Sequence, residues 1–319
     1  MHKSEDIQWD VSLVIPVLNE KDSISILYDE ISEVMKKEDL SYEIIFIDDG
    51  SSDGSYQIME EMSNTYDNIS VIRFRRNFGK AVALQHGFDY ASGKIVFTLD
   101  ADLQDDPKEI PRFIEKLDEG YDLVSGWKQK RHDPLNKTLP SKLFNKTISS
   151  LSGVHIHDFN CGFKAYRNEV VKSINVYGEM HRYIPVLAHS EGFKVSEIVV
   201  NHRAREYGKS KYGIKRYTRG LFDCITVVFL GKYSKRPLHF FGKFSLILGA
   251  LGTLVCLYLV ALKISGQMIS HRPLLNLGIL LIILGTQFLC TGLVAEMMVA
   301  NKNSKGDSYI SQIINNKKA

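Results

Sequence analysis

Three apolar segments of this sequence each end in a short polar or acidic stretch, and this repeated order most constrains the fold. Residues 11–17, 42–47 and 95–99 are apolar and rich in β-branched side chains, which predicts buried strands. Residues 24–34 and 56–62 follow the first two strands with apolar side chains at helical spacing. Alternation of strand and helix predicts an α/β domain with a mostly parallel sheet and right-handed crossovers.

The polar residues after these strands are expected to meet, because open α/β sheets bind ligands at the carboxyl ends of their strands. Glu20 follows the first strand, Asp48 and Asp49 the second, and Asp100-Ala101-Asp102-Leu103-Gln104 the third. Gathered carboxylates repel one another, so a metal ion or the polar groups of a nucleotide would explain them. Hard oxygen ligands suit Mg²⁺ or Mn²⁺ bridging to phosphates. Taken alone, an Asp-x-Asp is more typical of a solvated turn that caps a helix than of a metal site.

Several motifs together resemble the signature of family 2 glycosyltransferases. They are Pro-Val-Leu-Asn-Glu at 16–20, Asp-Asp-Gly-Ser-Ser-Asp-Gly at 48–54 and Asp-Ala-Asp-Leu-Gln-Asp-Asp-Pro at 100–107. Arg-Asn-Phe-Gly-Lys at 76–80 and Gly-Lys-Ser-Lys-Tyr at 208–212 extend the resemblance over nearly the whole chain. More narrowly, the chain resembles polyprenyl-phosphate glycosyltransferases, such as dolichyl-phosphate mannose synthases and bactoprenol glucosyltransferases. The ordered set is specific for the family and much less specific for the sugar.

This resemblance implies a GT-A-like, Rossmann-related nucleotide-diphospho-sugar transferase domain and a set of site residues. The donor would be a UDP- or GDP-sugar, with UDP-glucose or a similar sugar expected, and the anomeric centre would be inverted. The implied metal group binds Mg²⁺ or Mn²⁺ through Asp100, Asp102 and Gln104, with Asp102 the catalytic member. The implied nucleotide positions are Pro16, Glu20, Asp48, Asp49 and Asp100.

The expected acceptor is a polyprenyl phosphate, such as undecaprenyl phosphate, at the cytoplasmic face of a membrane. A phosphate monoester has a second pKa near ~6 and is largely the dianion at neutral pH, so orientation and charge screening matter more than a strong base. Candidate phosphate contacts are Arg131, Ser141, Arg205, Ser210 and Lys211. For Arg131, a solvated loop charge is an equally good interpretation.

Asp158 is the candidate catalytic carboxylate near the acceptor. It lies in His-Asp-Phe-Asn-Cys-Gly-Phe at 157–163, and the related family has an acidic residue in the matching segment. It would act as a base or orient a sugar hydroxyl, and the alternative is a plain helix cap. His155 and His157 flank it, but a zinc site would need more convergent ligands.

The C-terminal third is predicted to cross a membrane twice. Residues 244–262 and 273–295 are stretches of 19 and 23 residues without Asp, Glu, Lys or Arg. The alternative is a pair of buried core helices. Lys and Arg flank the pair, with few in the connecting turn, so both termini and the catalytic domain are expected in the cytoplasm of a multi-pass protein of the inner (cytoplasmic) membrane. Candidates for hydrogen bonds across the pair are Asn276, Thr286, Gln287 and Thr291.

These observations predict four regions: a catalytic domain at 1–212, an amphipathic juxtamembrane segment at 213–243, a two-helix hairpin at 244–295 and a cytoplasmic tail at 296–319. Residues 201–243 carry 11 Lys or Arg, which suits a helix in the membrane interface. The alternative is an amphipathic helix packed on the domain. The first ten residues are polar, so no secretory signal is expected. A net charge of only +3 argues against nucleic acid as a partner.

Two rival functions remain open at this point. The first is a membrane glycosyltransferase that extends a polysaccharide or glycolipid. Processive enzymes of that kind usually carry a Gln-x-x-Arg-Trp motif, which this chain lacks because its tryptophans are Trp9 and Trp127. The second is a non-enzymatic membrane scaffold that binds a nucleotide, against which the intact acidic motifs argue. Bactoprenol-type relatives can form homo-oligomers, and the oligomeric state of this chain stays open at this point.

Overall fold

The computed structural model describes residues 9–129, 148–149, 152–178, 180–203, 236–266 and 273–303. The chain divides into two compact units, residues 1–228 and 229–319. The predicted boundary at residue 212 and most of the amphipathic segment lie outside the described residues and stay predictions.

The first unit alternates strands and helices, as the sequence predicts. In chain order its elements are β1 (Trp9–Val17), α1 (Ile24–Lys37), β2 (Tyr42–Asp48), α2 (Ser55–Thr65), β3 (Ile69–Arg73), α3 (Lys80–Tyr90), β4 (Gly93–Thr98), a 3₁₀ turn (Pro107–Glu109), α4 (Ile110–Asp118), β5 (Leu123–Trp127), β6 (Lys164–Arg167), α5 (Asn168–Ser173), a second 3₁₀ turn (Met180–Arg182), α6 (Ile184–Ser190) and β7 (Val195–Val199).

The strands form one seven-stranded sheet in the order β3-β2-β1-β4-β6-β5-β7. Strands β1 to β4 run parallel to one another, and β5 is parallel to β7. β6 runs antiparallel to both β4 and β5. The predicted α/β class with a mostly parallel sheet is therefore confirmed.

The reversed strand β6 brings its amino end to the edge where the parallel strands end. In the register of β4 with β6, Thr98 lies opposite Lys164. The segment that precedes Lys164 therefore arrives beside the residues that follow β4. This crossing places the Asp158 segment and the Asp-x-Asp segment at the same edge of the sheet.

The central strands are buried because helices cover both faces of the sheet, and they are accordingly apolar on both faces. Leu13 and Val14 on β1 and Phe46 and Ile47 on β2 have no exposed surface. The apolar side of α1, from Ile24 to Met35, packs into the same core. This continuous core fixes the ends of β1, β2 and β4, which carry the polar residues considered below.

The second unit contains two long apolar helices, α7 (Pro237–Ile264) and α8 (Pro273–Asn303). Both are long and apolar enough to cross a membrane, α8 over Pro273–Met298. Leu246 is 76% exposed and Ile264 82% exposed, unlike the side chains of a buried core helix. Both helices extend beyond the predicted apolar runs.

Glycines let the two helices approach closely. A Cβ atom at Gly252 would lie 2.8 Å from the carbonyl oxygen of Gly278, and one at Gly285 would lie 2.9 Å from the backbone nitrogen of Gly249. Small residues at such a seam allow backbone contact in a membrane.

The hydroxyls of Thr286 and Thr291, expected to bond across the pair, donate instead to carbonyls of their own helix, at 3.0 and 2.9 Å. One bond between the helices comes from Glu296, whose carboxylate accepts the Leu238 N–H at 3.1 Å. Leu238 lies in the first turn of α7, where backbone N–H groups lack partners within the helix.

Candidate active site

The turns after β1 and β2 are hydrogen-bonded to each other at the carboxyl edge of the sheet. The Asn19 N–H donates to the Ser51 hydroxyl (3.0 Å), and the Ser52 N–H donates to the Asn19 side-chain oxygen (2.7 Å). The Glu20 N–H donates to the Ser55 hydroxyl at 2.9 Å. The first two predicted motifs therefore form one connected rim.

Asp48 is the last residue of β2 and is fully buried. Its Oδ1 accepts the N–H of Ser51 at 2.9 Å, which closes the turn after the strand. Its Oδ2 lies 3.7 Å from Nε of Arg73, the last residue of β3. The Asp48 carboxylate thus joins two strands and a turn.

Asp49 is also buried, and main-chain donors surround its carboxylate. Oδ1 accepts the N–H of Phe78 at 2.7 Å, and Oδ2 accepts that of Gly79 at 3.0 Å. Burial raises the pKa of Asp49 above its ordinary value, although these two N–H groups act to lower it. Asp49 therefore anchors the Arg-Asn-Phe-Gly-Lys segment to the end of β2.

Asp100 lies in a group of lysines. Lys80, the first residue of α3, forms an ion pair with its carboxylate. Burial acts to raise the pKa of Asp100, but the nearby ammonium groups, above all that of Lys80, lower it to about 2. Gly162 contacts the same carboxylate, since a Cβ at Gly162 would lie 2.5 Å from Asp100 Oδ2. Asp100 is therefore ionised and enclosed on two sides.

Asp102 and Gln104 belong to a tight turn around a buried leucine. Leu103 has a left-handed backbone, with φ of 59°, and its side chain is buried. Asp102 Oδ1 accepts the Gln104 N–H at 3.3 Å. Because Leu103 is directed into the core, Asp102 and Gln104 lie together on the outer side of the turn.

Asp105 and Asp106, the next two residues, are held by cations. Asp105 pairs with Lys128 at 2.8 Å, and Asp106 accepts a bond from Arg203 at 2.7 Å. Arg203 also binds both oxygens of Glu30 on α1, at 2.7 and 2.8 Å. Its backbone N–H donates to the Gln104 carbonyl at 2.9 Å. Arg203 thus ties the acidic turn to α1 and to the chain segment that ends at residue 203.

Asp158 is buried, and its Oδ1 accepts the Asn160 N–H at 3.1 Å. Nearby, the Lys164 ammonium donates to the carbonyl of Cys161. Burial lowers the pKa of Lys164, while the negative charges of neighbouring groups, Asp158 among them, act in the opposite direction. These contacts hold the 158–162 segment against the end of β4, where Gly162 meets Asp100.

The structure brings most of the predicted donor-site residues to one sheet edge. Pro16 lies on β1 opposite Ile47, next to the connected turns that carry Glu20 and the Asp48–Asp49 pair. The five predicted acceptor contacts lie outside the described residues: Arg131, Ser141, Arg205, Ser210 and Lys211. Their roles stay predictions.

Sequence reasoning assigned no role to Lys80, Gly162, Lys164 or Arg203. Lys80 and Gly162 belong to the motifs at 76–80 and 157–163. These motifs marked the two residues as part of the family pattern but did not indicate what they contact. Arg203 is one of the 11 Lys or Arg of the 201–243 segment, and its place in the site could not be predicted because its partners Glu30 and Asp106 are distant in the chain.

Comparison with known proteins identifies the family. The profile described as Glycosyl transferase family 2 matches residues 12–174, which include the turns after β1, β2 and β4 and the Asp158 segment. A dodecaprenyl-phosphate galacturonate synthase from Rhizobium johnstonii is 38% identical over 91% of this chain and 87% of its own length. The chain belongs to glycosyl transferase family 2.

A second relative points to the same subgroup. An undecaprenyl-phosphate 4-deoxy-4-formamido-L-arabinose transferase from Edwardsiella ictaluri is 36% identical over 90% of this chain and 87% of its own length. Both names combine a polyprenyl phosphate with a sugar. The prediction of a glycosyltransferase that resembles the polyprenyl-phosphate subgroup is therefore confirmed.

Solved structures show which fold this chain shares. Glucosyl-3-phosphoglycerate synthase from Mycobacterium tuberculosis, in complex with Mn²⁺, UDP-glucose and phosphoglyceric acid, matches with a TM-score of 0.53 and 21% identity. The match covers 70% of this chain and 80% of that one. At this identity the likeness concerns the fold alone, and it confirms the predicted GT-A-like domain.

Proposed function

We propose that this glycosyltransferase moves a sugar from a nucleoside diphosphate to a polyprenyl phosphate, with undecaprenyl phosphate as the working acceptor. The observation that carries the proposal is the resemblance, over about nine-tenths of the chain, to relatives named for polyprenyl-phosphate products. The two apolar helices α7 and α8 suit an enzyme whose acceptor is a lipid.

A divalent cation, Mg²⁺ or Mn²⁺, belongs to this proposal. Asp100, Asp102 and Gln104 offer the hard oxygen donors that these ions prefer, and they lie in one short segment at the sheet edge. The described residues contain no group of three His, Cys, Asp or Glu that could hold a metal, so in this proposal the remaining ligands would have to be oxygens of the donor. When bound, the cation would supply Lewis-acid stabilisation of charge on the diphosphate.

The connected turns after β1 and β2 form the proposed nucleoside side of the site. Pro16 and Glu20 would line it directly. Asp48 and Asp49 have carboxylates committed to the chain's own donors. Asp48 would hold the turn after β2 in place, and Asp49 would hold the Phe78–Gly79 segment. A rim already satisfied by internal hydrogen bonds loses little entropy when the donor binds.

The reaction forms a bond between an acceptor phosphate oxygen and C1 of the sugar, and it breaks the bond between C1 and the diphosphate oxygen. Attack on the face opposite the leaving group inverts C1. The acceptor dianion is already a nucleophile, so Arg131, Ser141, Arg205, Ser210 and Lys211 are proposed to orient it and screen its charge. Asp158 is proposed to orient the sugar or act as a base from its position beside Lys164.

The sugar is the least determined part of the proposal. UDP-glucose is the expectation from the sequence, whereas the two relatives are named for galacturonate and for 4-deoxy-4-formamido-L-arabinose. The deciding experiment gives the purified full-length protein a panel of UDP- and GDP-sugars with undecaprenyl phosphate. We expect lipid-dependent nucleotide release with one donor class. Sugar transfer to a saccharide acceptor would favour a polysaccharide-extending enzyme, and nucleotide binding without transfer would favour a scaffold.

Location in the inner membrane, with both termini in the cytoplasm, is the proposed topology. Its basis is the Lys and Arg bias around α7 and α8. A reporter fused after Ala319 is expected to behave as cytoplasmic, and a tag in the 266–270 turn should be labelled from the opposite side only. The reverse labelling would contradict this orientation. Association into a homo-oligomer stays a prediction.

A further inference from the structure

Lys80 is the lysine whose ion pair holds Asp100. Three lysines lie near this carboxylate in the described part of the chain, but two have other principal partners. Lys128 pairs with Asp105 at 2.8 Å, and Lys164 donates to the carbonyl of Cys161. Lys80 directs its ammonium at Asp100. The side chains of Lys80 and Asp100 are 27% and 35% exposed, so the pair lies at the border of solvent.

Asp100 has little freedom to leave this pair. The backbone of Gly162 lies against its carboxylate, where a Cβ atom would come within 2.8 Å of the Asp100 Cγ. Lys80, in contrast, carries its charge on a flexible four-carbon chain at the start of α3. If a cation takes a position at Asp100, like-charge repulsion must therefore move Lys80 and leave Asp100 in place.

We propose that Lys80 is a resident counter-ion of Asp100 that a divalent cation displaces, and that the displaced ammonium then binds the diphosphate of the donor. This inference rests on the proposed function. The donor brings the negative charges that both the cation and the ammonium need. An ammonium is a compact point charge suited to phosphate oxygens, and the amino end of the eleven-residue helix α3 adds partial positive charge.

The test measures Mn²⁺ binding to the detergent-solubilised full chain by electron paramagnetic resonance, first without nucleotide. Lys80→Met should tighten Mn²⁺ binding about tenfold, because an opposite charge at this range shifts a carboxylate's affinity for a proton by about one to three pK units. Lys80→Arg should retain wild-type binding. Lys94→Met is the matched control: it removes a lysine on β4 from an ion pair with Asp10 on β1, away from Asp100, and should change nothing.

The second arm measures the affinity for UDP and GDP in saturating Mn²⁺. Lys80→Met should weaken binding of the preferred nucleotide about tenfold, so the two arms change in opposite directions. Simple damage to the site would weaken both. Unchanged or weaker Mn²⁺ binding by Lys80→Met would overturn the proposal for Lys80 while leaving the proposed function intact. A wild-type chain that binds no Mn²⁺, with or without UDP or GDP, would overturn the metal site and this inference together.

Discussion

Two pairs of carboxylates at the same sheet edge are satisfied in different ways. Asp48 and Asp49 are buried and receive bonds from main-chain N–H groups, which cannot move without moving the fold. Asp100 and Asp102 lie nearer to solvent. Asp100 is balanced by a lysine side chain, and Asp102 accepts a long 3.3 Å bond from the Gln104 N–H within its own turn. Main-chain donors make a carboxylate part of the structure, whereas a side-chain counter-ion leaves it available for exchange. The first pair is therefore suited to shape the site and the second to bind a changing set of ligands.

The largest expected effect is on transfer when Asp102 is changed. Asp102→Asn should lower kcat by about 10²–10³-fold, in line with the loss of one electrostatic contact in a transition state. The thermal unfolding temperature should stay near that of the wild type. EDTA should abolish transfer, and Mg²⁺ or Mn²⁺ should restore it. Full activity of Asp102→Asn would show that the second carboxylate pair is not the ligand-binding one.

Gly162→Ala should have the next largest effect. Its Cβ would lie 2.5 Å from Asp100 Oδ2, so the carboxylate must shift, and a displacement of about 1 Å can cost about 10²-fold in rate. Gly242→Ala is the matched control, since a Cβ there meets nothing within 4 Å. Transfer rates of both variants should be compared at saturating donor. Equal rates would show that Asp100 is not confined by Gly162.

Asp49 should affect stability more than chemistry. Asp49→Ala leaves the N–H groups of Phe78 and Gly79 without their acceptor, which should cost about 1–3 kcal/mol in free energy of unfolding. Thermal unfolding of the solubilised chain measures this loss. An activity loss with unchanged stability would mean that Asp49 contacts the donor directly.

The raised pKa of Asp49 also predicts how stability depends on pH. Burial raises its pKa, so its contribution to stability is fully present below the unfolded value of about 3.9 and is lost as the pH rises through the folded pKa. Asp49→Asn should therefore gain stability relative to the wild type between acid and neutral pH. If the difference in unfolding free energy between Asp49→Asn and the wild type stays constant across that range, ionisation of buried Asp49 does not destabilise the fold.

The smallest effect is expected for the Lys80–Asp100 pair in acid. The pKa of Asp100 is lowered to about 2, so the stability from this pair is present above the unfolded pKa and is lost as the pH falls towards 2. Lys80→Met should cost under about 1 kcal/mol at neutral pH, as for other partly exposed pairs. The difference from the wild type should disappear near pH 2. Persistence of the difference there would assign it to packing of the lysine stem.

The parallel part of the sheet follows from sequence because each strand is an uninterrupted apolar run with a helical pattern after it. β6 is different, since Lys-Ala-Tyr-Arg at 164–167 is short and half polar, and it is a strand only because β4 and β5 lie on either side. Its antiparallel direction could not be predicted, yet it brings Gly162 to Asp100. The motifs thus predicted which acids share an edge, while tertiary contacts decide which cation each one meets.

In the two-helix hairpin, too, the elements could be predicted from sequence but the contacts between them could not. Composition alone predicted two apolar helices, because length and absence of charge suffice. Polar side chains were expected to form hydrogen bonds between the two helices. For Thr286 and Thr291 this was wrong, because their hydroxyls donate to carbonyls of their own helix. Glycines that permit close backbone approach were the informative residues, since their contacts need no side chain.

The link between Arg203 and the acidic turn has a consequence for protein engineering. Residues 202–203 pair with 104–105, and Arg203 joins Asp106 to Glu30. A chimera that exchanges the segment after residue 203 with that of a relative would keep this junction if the crossover follows Arg203. A crossover before Asn201 would exchange half of the junction and require compatible partners at positions 30 and 106. To transplant the proposed acceptor contacts Arg205, Ser210 and Lys211, the exchange is therefore best begun at residue 204, with Arg203 kept as part of the host.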